Sequence, residues 1–229
     1  MPKHIGIVGC SAEGASLCYR TICQEGSLLI GKHEHPEVSV HTPSLARYVD
    51  CLDSVDLEGV AALMLDSARK LARIGADFLI CPDNTIHQAF DLVVPHSPLP
   101  WLHIAEVVAD VAVKAGYSRL GLLGTAWLVE SEVYPAVLTE RSLTLLRPSN
   151  DECREINRMI MDELVMGDFS KETAAFHLNT IRNLASAGAD AVILGCTEIP
   201  LIVGEHNSPL PVLDSTRLLA RAALQHALC

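Results

Sequence analysis

One motif occurs twice in this chain, and the repetition limits the folds open to it. Gly75-Ala76-Asp77-Phe78-Leu79-Ile80-Cys81-Pro82-Asp83-Asn84-Thr85 returns as Gly188-Ala189-Asp190-Ala191-Val192-Ile193-Leu194-Gly195-Cys196-Thr197-Glu198 at a constant offset of 113 residues. Two further matches flank it. His4-Ile5-Gly6-Ile7-Val8-Gly9 is mirrored by Arg119-Leu120-Gly121-Leu122-Leu123-Gly124 at an offset of 115. Leu99-Pro100-Trp101-Leu102-His103 is mirrored by Leu210-Pro211-Val212-Leu213-Asp214 at an offset of 111. Apolar strands resemble one another by composition alone, so the shared Gly-Ala-Asp and Leu-Pro edges carry the signal. Two half-domains of one plan are expected, with chemistry where the copies differ: Asp83 in one, Cys196 in the other.

The matched runs are apolar throughout rather than alternating, as in parallel strands covered on both faces. Strands are expected at 4–9, 37–42, 77–81, 101–103, 119–124, 143–147, 191–194 and 210–214. Helical spacing of apolar residues marks 15–30, 58–74, 104–115, 151–166 and 170–187, and Gly75 stands at the C′ position of one helix. The class is therefore α/β, with two pseudo-symmetric lobes, each a parallel sheet flanked by helices. In such folds ligands sit beyond the carboxyl ends of strands. The loops of interest are 9–14, 82–87, 124–128 and 195–200, with the active site expected in the cleft between lobes.

Of the 229 residues, 49% are hydrophobic and 20% charged, enough for a core without disulfide staples. The eight cysteines show no CxxC spacing, which points to reduced thiols and a cytoplasmic chain. A net charge of −11 argues against nucleic acid or an anionic membrane surface as partner. There is no run of about 18 apolar residues for a membrane span, and no signal peptide is expected ahead of the first strand.

Cys196 is the first candidate for chemistry. Most cysteines are small buried hydrophobes. This one follows a buried strand and a glycine, and if Thr197 begins a helix, the helix N-terminus favours the thiolate. Asp83-Asn84-Thr85 is the second candidate. All three residue types cap helices, yet Asp83 also stands where a side chain would project into the cleft, with Asn84 and Thr85 offering hydrogen bonds. Cys81 is assigned to the core. The loop Gly9-Cys10-Ser11 lacks the phosphate-binding glycine patterns, but its amides and Ser11 suit a carboxylate at a helix start. Thr125 is its counterpart in the second copy. His33-Glu34-His35 reads as a solvated loop, and no metal site is expected.

Asp83-Asn84-Thr85-Ile86-His87 together with Gly195-Cys196-Thr197-Glu198-Ile199-Pro200 resembles the paired signatures of the aspartate/glutamate racemase family. The resemblance extends over nearly the whole chain, through Ile5 to Gly9, Leu122-Leu123-Gly124-Thr125 and Leu210 to Asp214. It implies a cofactor-independent amino-acid racemase whose small-molecule partner is an amino acid or related carboxylate. It also implies an N-terminal lobe over 1–100, a C-terminal lobe over 101–209, and a final strand and helix over 210–229 returning to the first lobe. Two acid/base groups would flank Cα, Cys196 and Asp83 here. Asn84, Thr85, Thr197 and the Cys10-Ser11 loop would hold the substrate carboxylate, with Glu198 and Thr125 beside them. A homodimer is open as the assembly, with no interface legible in the residues.

This chain departs from the family at Asp83, where a cysteine is usual. A carboxylate has a reference pKa near 4 against about 8.5 for a thiol, so Asp83 needs burial to act as a proton donor. Arg47 is a partner for a distal substrate carboxylate. Met166, where some relatives carry lysine, points towards a more apolar side chain. Two alternatives stand beside racemisation: a one-thiol decarboxylase or isomerase in which Cys196 protonates a planar intermediate, and a catalytically silent amino-acid-binding protein.

Overall fold

The computed structural model describes residues 2–229. Its elements run, in the first half, β1 (Ile5–Val8), α1 (Ala12–Leu29), β2 (Val38–His41), α2 (Leu45–Asp53), α3 (Leu57–Arg73), β3 (Phe78–Ile80), α4 (Phe90–Val93), β4 (Trp101–Leu102) and α5 (Ile104–Ala115). The second half continues with β5 (Arg119–Leu123), α6 (Ala126–Val129), α7 (Val133–Glu140), β6 (Thr144–Leu146), α8 (Asn150–Asp162), α9 (Lys171–Ser186), β7 (Ala191–Leu194), β8 (Val212–Asp214) and α10 (Ser215–Leu228). Short 3₁₀ turns cover Thr85–Ala89, Val94–His96, Leu164–Met166 and Ile199–Leu201.

These strands form two four-stranded sheets, ordered β2-β1-β3-β4 and β6-β5-β7-β8, and every pairing is parallel. The duplication holds down to the register. Ile5 pairs with Phe78 as Leu120 pairs with Ala191, and Leu79 with Trp101 as Val192 with Val212.

The conserved edges of the repeat have specific work. Gly75 (φ 94°) and Gly188 (φ 97°) end α3 and α9 in the left-handed region that favours glycine. Asp77 and Asp190 follow. Asp77 Oδ2 accepts from the His4 amide at 2.7 Å, and Asp190 accepts from the Ser118 and Arg119 amides at 2.8 and 3.0 Å. Each aspartate thereby fixes the start of the first strand in its own sheet. At the other edge, Leu79 N–H donates to the Pro100 carbonyl (2.8 Å) and Val192 N–H to that of Pro211 (2.9 Å). Proline has no N–H to offer, so each Leu-Pro edge enters its sheet by accepting.

The apolar runs of the central strands β1, β3, β5 and β7 are buried as expected, apart from Arg119 at the start of β5, whereas the edge strands β2, β4, β6 and β8 are only partly covered. In one core Ile5, Ile7, Phe78 and Ile80 pack with Leu219, Ala220 and Ala223 of α10. In the other Leu123, Val192 and Leu194 pack with Ile156, Ile160 and Ile181 of α8 and α9. Ser149 and Glu152 form a reciprocal capping box at the start of α8, and Ser11, Asp56 and Ser170 cap α1, α3 and α9.

Two boundaries differ from the sequence reading. The compact units are 1–107 with 216–229, and 108–215. β4 belongs to the first sheet and β8 to the second, so a division at 100/101 or 209/210 separates each sheet from its last strand. The final helix is grouped with the first unit, whereas the strand at 212–214 pairs with β7. Backbone hydrogen bonding decides this: the Pro211 carbonyl is taken by Val192. Helices α2, α4, α6 and α7 are not among the expected elements; each is short, at nine, four, four and eight residues.

Candidate active site

In the first unit, β1 and β3 pair side by side, with Ile7 opposite Ile80, so the loops that follow them are neighbours. Cys10 and Ser11 lie on one, Asp83, Asn84 and Thr85 on the other. Cys10, Ser11, Asn84 and Thr85 are all buried. Ser11 Oγ accepts from the Gly14 amide at 3.1 Å and so caps α1. Asp83 Oδ1 accepts from the Ile86 amide at 3.1 Å, which starts the 3₁₀ turn over Thr85–Ala89. The capping reading of Asp83 therefore has a contact behind it, through Oδ1.

Cys81 is core, as read. It is fully buried, its Sγ lies 3.8 Å from the Asp83 carbonyl, and burial pushes the thiol well up, with Asp83 adding to the effect. Arg47 stands exposed on α2, beside Tyr48. Tyr48 is a residue that sequence reasoning missed. It is completely buried and its hydroxyl makes no hydrogen bond. Burial first, then the charges of Cys81, Cys10 and Asp83, raise its pKa, so it stays a neutral phenol facing the strand-end cluster. The other fully buried tyrosine, Tyr134, bonds to Ser215. A tyrosine one residue past an expected cation offers no sequence signal; only burial exposes it.

In the second unit β5 and β7 pair with Leu123 opposite Leu194, and the Gly195 amide donates to the Leu123 carbonyl at 2.7 Å. Thr125 and Cys196 therefore follow adjacent strand ends. Thr125 caps α6 through the Leu128 amide (3.3 Å), and Asn157 Oδ1 of α8 accepts from the Ala126 amide (2.9 Å). Asn157 is a second residue not foreseen. Gly195 is a position where a side chain does not fit. A Cβ there would come within 2.5 Å of Leu128 Cδ2 and 3.0 Å of the Leu123 carbonyl oxygen.

The setting of Cys196 corrects one expectation. Thr197 begins no helix; a three-residue 3₁₀ turn starts at Ile199, with Glu198 at its N-cap. So short a turn, with Pro200 in it, sums few peptide dipoles. The thiol instead meets a carboxylate. Cys196 Sγ donates to Glu198 Oε2 at 2.9 Å, and Thr197 Oγ1 donates to the same oxygen at 2.8 Å. Glu198 itself is 3% exposed. A buried carboxylate accepting from the thiol is a local acceptor for its proton. Among the described residues no group of three or more His, Cys, Asp or Glu could hold a metal ion, and no helix is long and apolar enough to cross a membrane.

Residues 7–223 match the family model of the Asp/Glu/hydantoin racemases. The chain belongs to that family. Its relatives include the broad specificity amino-acid racemase RacX of Bacillus subtilis (strain 168), 23% identical over 192 residues that cover 83% of this chain and 82% of RacX. An aspartate racemase homologue from Pyrococcus horikoshii OT3 has a TM-score of 0.85 at 27% identity, with complete coverage of both chains. A structure of an Asp/Glu racemase candidate from Yersinia pestis has a TM-score of 0.90 at 29% identity, covering 99% of this chain and 100% of that one. The family membership and the two-sheet α/β fold thus agree with the paired motifs that the sequence presents.

Proposed function

We propose that this racemase-family chain is a cofactor-independent amino-acid racemase that exchanges the Cα proton through Cys196 and Asp83. The observation that carries the reading is the equivalence of these two residues in a repeat whose strand register is duplicated, combined with the Cys196–Glu198 contact. Inverting one stereocentre requires an acid and a base on opposite faces of one carbon. A duplicated fold offers one group from each copy.

In one direction the thiol proton passes to Glu198, and the Cys196 thiolate removes the Cα proton. The C–H electron pair becomes a carbanion delocalised into the α-carboxylate. Protonated Asp83 then delivers a proton to the other face and is left as carboxylate. The reverse direction begins with Asp83 as base and ends with the thiol as donor. Asn84, Thr85 and Thr197 would hold the carboxylate as charge develops, with Cys10, Ser11 and Thr125 nearby and Arg47 serving a distal carboxylate. The proposed setting is the cytoplasm, where the thiol remains reduced.

The test is a panel of L- and D-amino acids in D2O, read by NMR at Cα. The expected outcome is deuterium incorporation with inversion for at least one pair, lost in Cys196→Ala. Retained exchange in that variant removes Cys196 from the mechanism. The engagement of Asp83 Oδ1 with the Ile86 amide favours one competitor: a one-thiol decarboxylase or isomerase in which Asp83 is only a cap. CO2 release from a substituted malonate, without amino-acid exchange, would identify it.

A further inference from the structure

Behind Asp83 lies a buried histidine that the proton transfers do not use. His87 Nδ1 is 2.7 Å from the Asp83 carbonyl oxygen, and Nε2 is 3.5 Å from the Ile104 amide nitrogen. A carbonyl only accepts and an amide N–H only donates. The two contacts together assign the proton to Nδ1 and leave Nε2 bare, a single neutral tautomer. The ring stacks on Phe90 (centroids 5.3 Å apart) and meets the His103 ring edge-on at 4.7 Å. Burial, reinforced by His103, holds its pKa well below the ordinary histidine range. His87 therefore ties the loop after β3 to the first residue of α5.

The rest of that loop is held as well. Cys81 Sγ reaches the Asp83 carbonyl, and Thr216 Oγ1 of α10 lies 3.5 Å from the Pro82 carbonyl. The second copy supplies a comparison. Pro200 stands where the first copy has His87, at the same offset of 113, and its side chain has no donor. The Gly195–Glu198 turn forms without a histidine, so the fold does not demand one. The copies differ in chemistry: Cys196 has Glu198 against its thiol, while Asp83 gains a clamp on its own backbone.

We propose that His87 is a positioning residue: it fixes the backbone under Asp83 and so aims the carboxylate at the substrate carbon. This rests on the racemase reading. Two variants separate aim from packing. His87→Asn places an amide nitrogen near the position of Nδ1 and keeps the donor to the Asp83 carbonyl. His87→Gln places its oxygen near Nε2, keeps an acceptor for Ile104 and loses that donor. The readout is the ratio of deuterium wash-in without inversion to inversion, from each enantiomer in D2O. For His87→Gln, inversion should fall about tenfold or more, the scale of a misplaced catalytic group. Wash-in should persist from the enantiomer that Cys196 deprotonates. His87→Asn should remain within a few-fold of wild type. Wild-type inversion in His87→Gln, or parallel loss of wash-in and inversion in both variants, overturns the proposal. Side-chain ¹⁵N NMR gives an activity-free check: an Nε2–H or protonated ring near neutral pH overturns the clamp outright. An Nδ1–H ring in a wild type that exchanges no amino acid supports the clamp and sinks only the racemase reading.

Discussion

Acidifying this protein from pH 7.5 to 5.5 should weaken its fold before the carboxylates titrate. Two histidines, His87 and His177, are almost completely buried, one in each unit. Burial lowers both pKa values, with His103 adding to the effect at His87 and the Thr173 carbonyl and Glu163 opposing it at His177. In the folded chain they take up a proton only at lower pH than in the unfolded chain, where they protonate near pH 6.5. Below that pH the unfolded state binds more protons, so stability falls as pH drops and continues to fall until the folded pKa is reached. The unfolded state gains a factor of about ten per histidine across these two pH units, or about 1.4 kcal/mol each where the folded pKa lies below the window. The pair together is worth at most about 2–3 kcal/mol, and Tm should drop by up to roughly 5–10 °C. His41 is lowered too, but solvent reaches it and screening discounts its share. The carboxylates with clear shifts, among them Asp190 and Glu152, are lowered, so their contribution is lost as pH falls from the usual carboxylate range, where the unfolded chain protonates, towards the lower folded pKa, which lies beneath this window. The assay is urea unfolding at pH 7.5, 6.5 and 5.5 at one ionic strength, for wild type and His177→Asn, which keeps a donor to the Thr173 carbonyl. The variant should lose its histidine's share of the slope. A pH-independent unfolding free energy, or a full slope in the variant, refutes the reasoning.

Tyr48→Phe removes a buried hydroxyl that has no partner, so it should leave Tm unchanged or raise it; a fall of more than about 1 kcal/mol would show that the hydroxyl is paired. Gly195→Ala forces a Cβ against Leu128 and the Leu123 carbonyl, and should destabilise by about 1–3 kcal/mol in thermal unfolding; an unchanged Tm would mean that the β7 turn is looser than its packing indicates. Asp83→Cys should raise the racemisation rate measured by polarimetry, because a thiol is closer to balance as both base and donor near neutral pH; an unchanged rate would assign the pocket another purpose.

Much of this was legible along the chain. The repeat offsets of 113, 115 and 111 name the strand pairs that the two sheets duplicate. Glycines 75 and 188 mark helix ends because few other residues take their φ. The acid and the thiol stand at matched strand ends because the repeat offset of 113 places both just past the corresponding strands β3 and β7. Other features had no local signal. His87 looks like one more polar residue after Asn-Thr until Ile104, 17 residues on, meets its ring. Glu198 reads as part of a motif, and only the turn geometry brings its oxygen within 2.9 Å of the thiol. The strand at 212–214 was assigned to the wrong sheet because pairing partners are chosen across space, by carbonyls such as that of Pro211.

By itself the sequence determined the α/β class, the duplication and the positions of the two chemically distinct side chains, since apolar period, turn residues and repeat spacing are local properties of the chain. Tertiary structure alone decided which sheet each edge strand joins, that Cys196 faces a carboxylate rather than a helix end, and that Asp83 rests on a histidine of one tautomer. Those outcomes depend on donors and acceptors meeting through space, and separation along the chain does not encode that meeting.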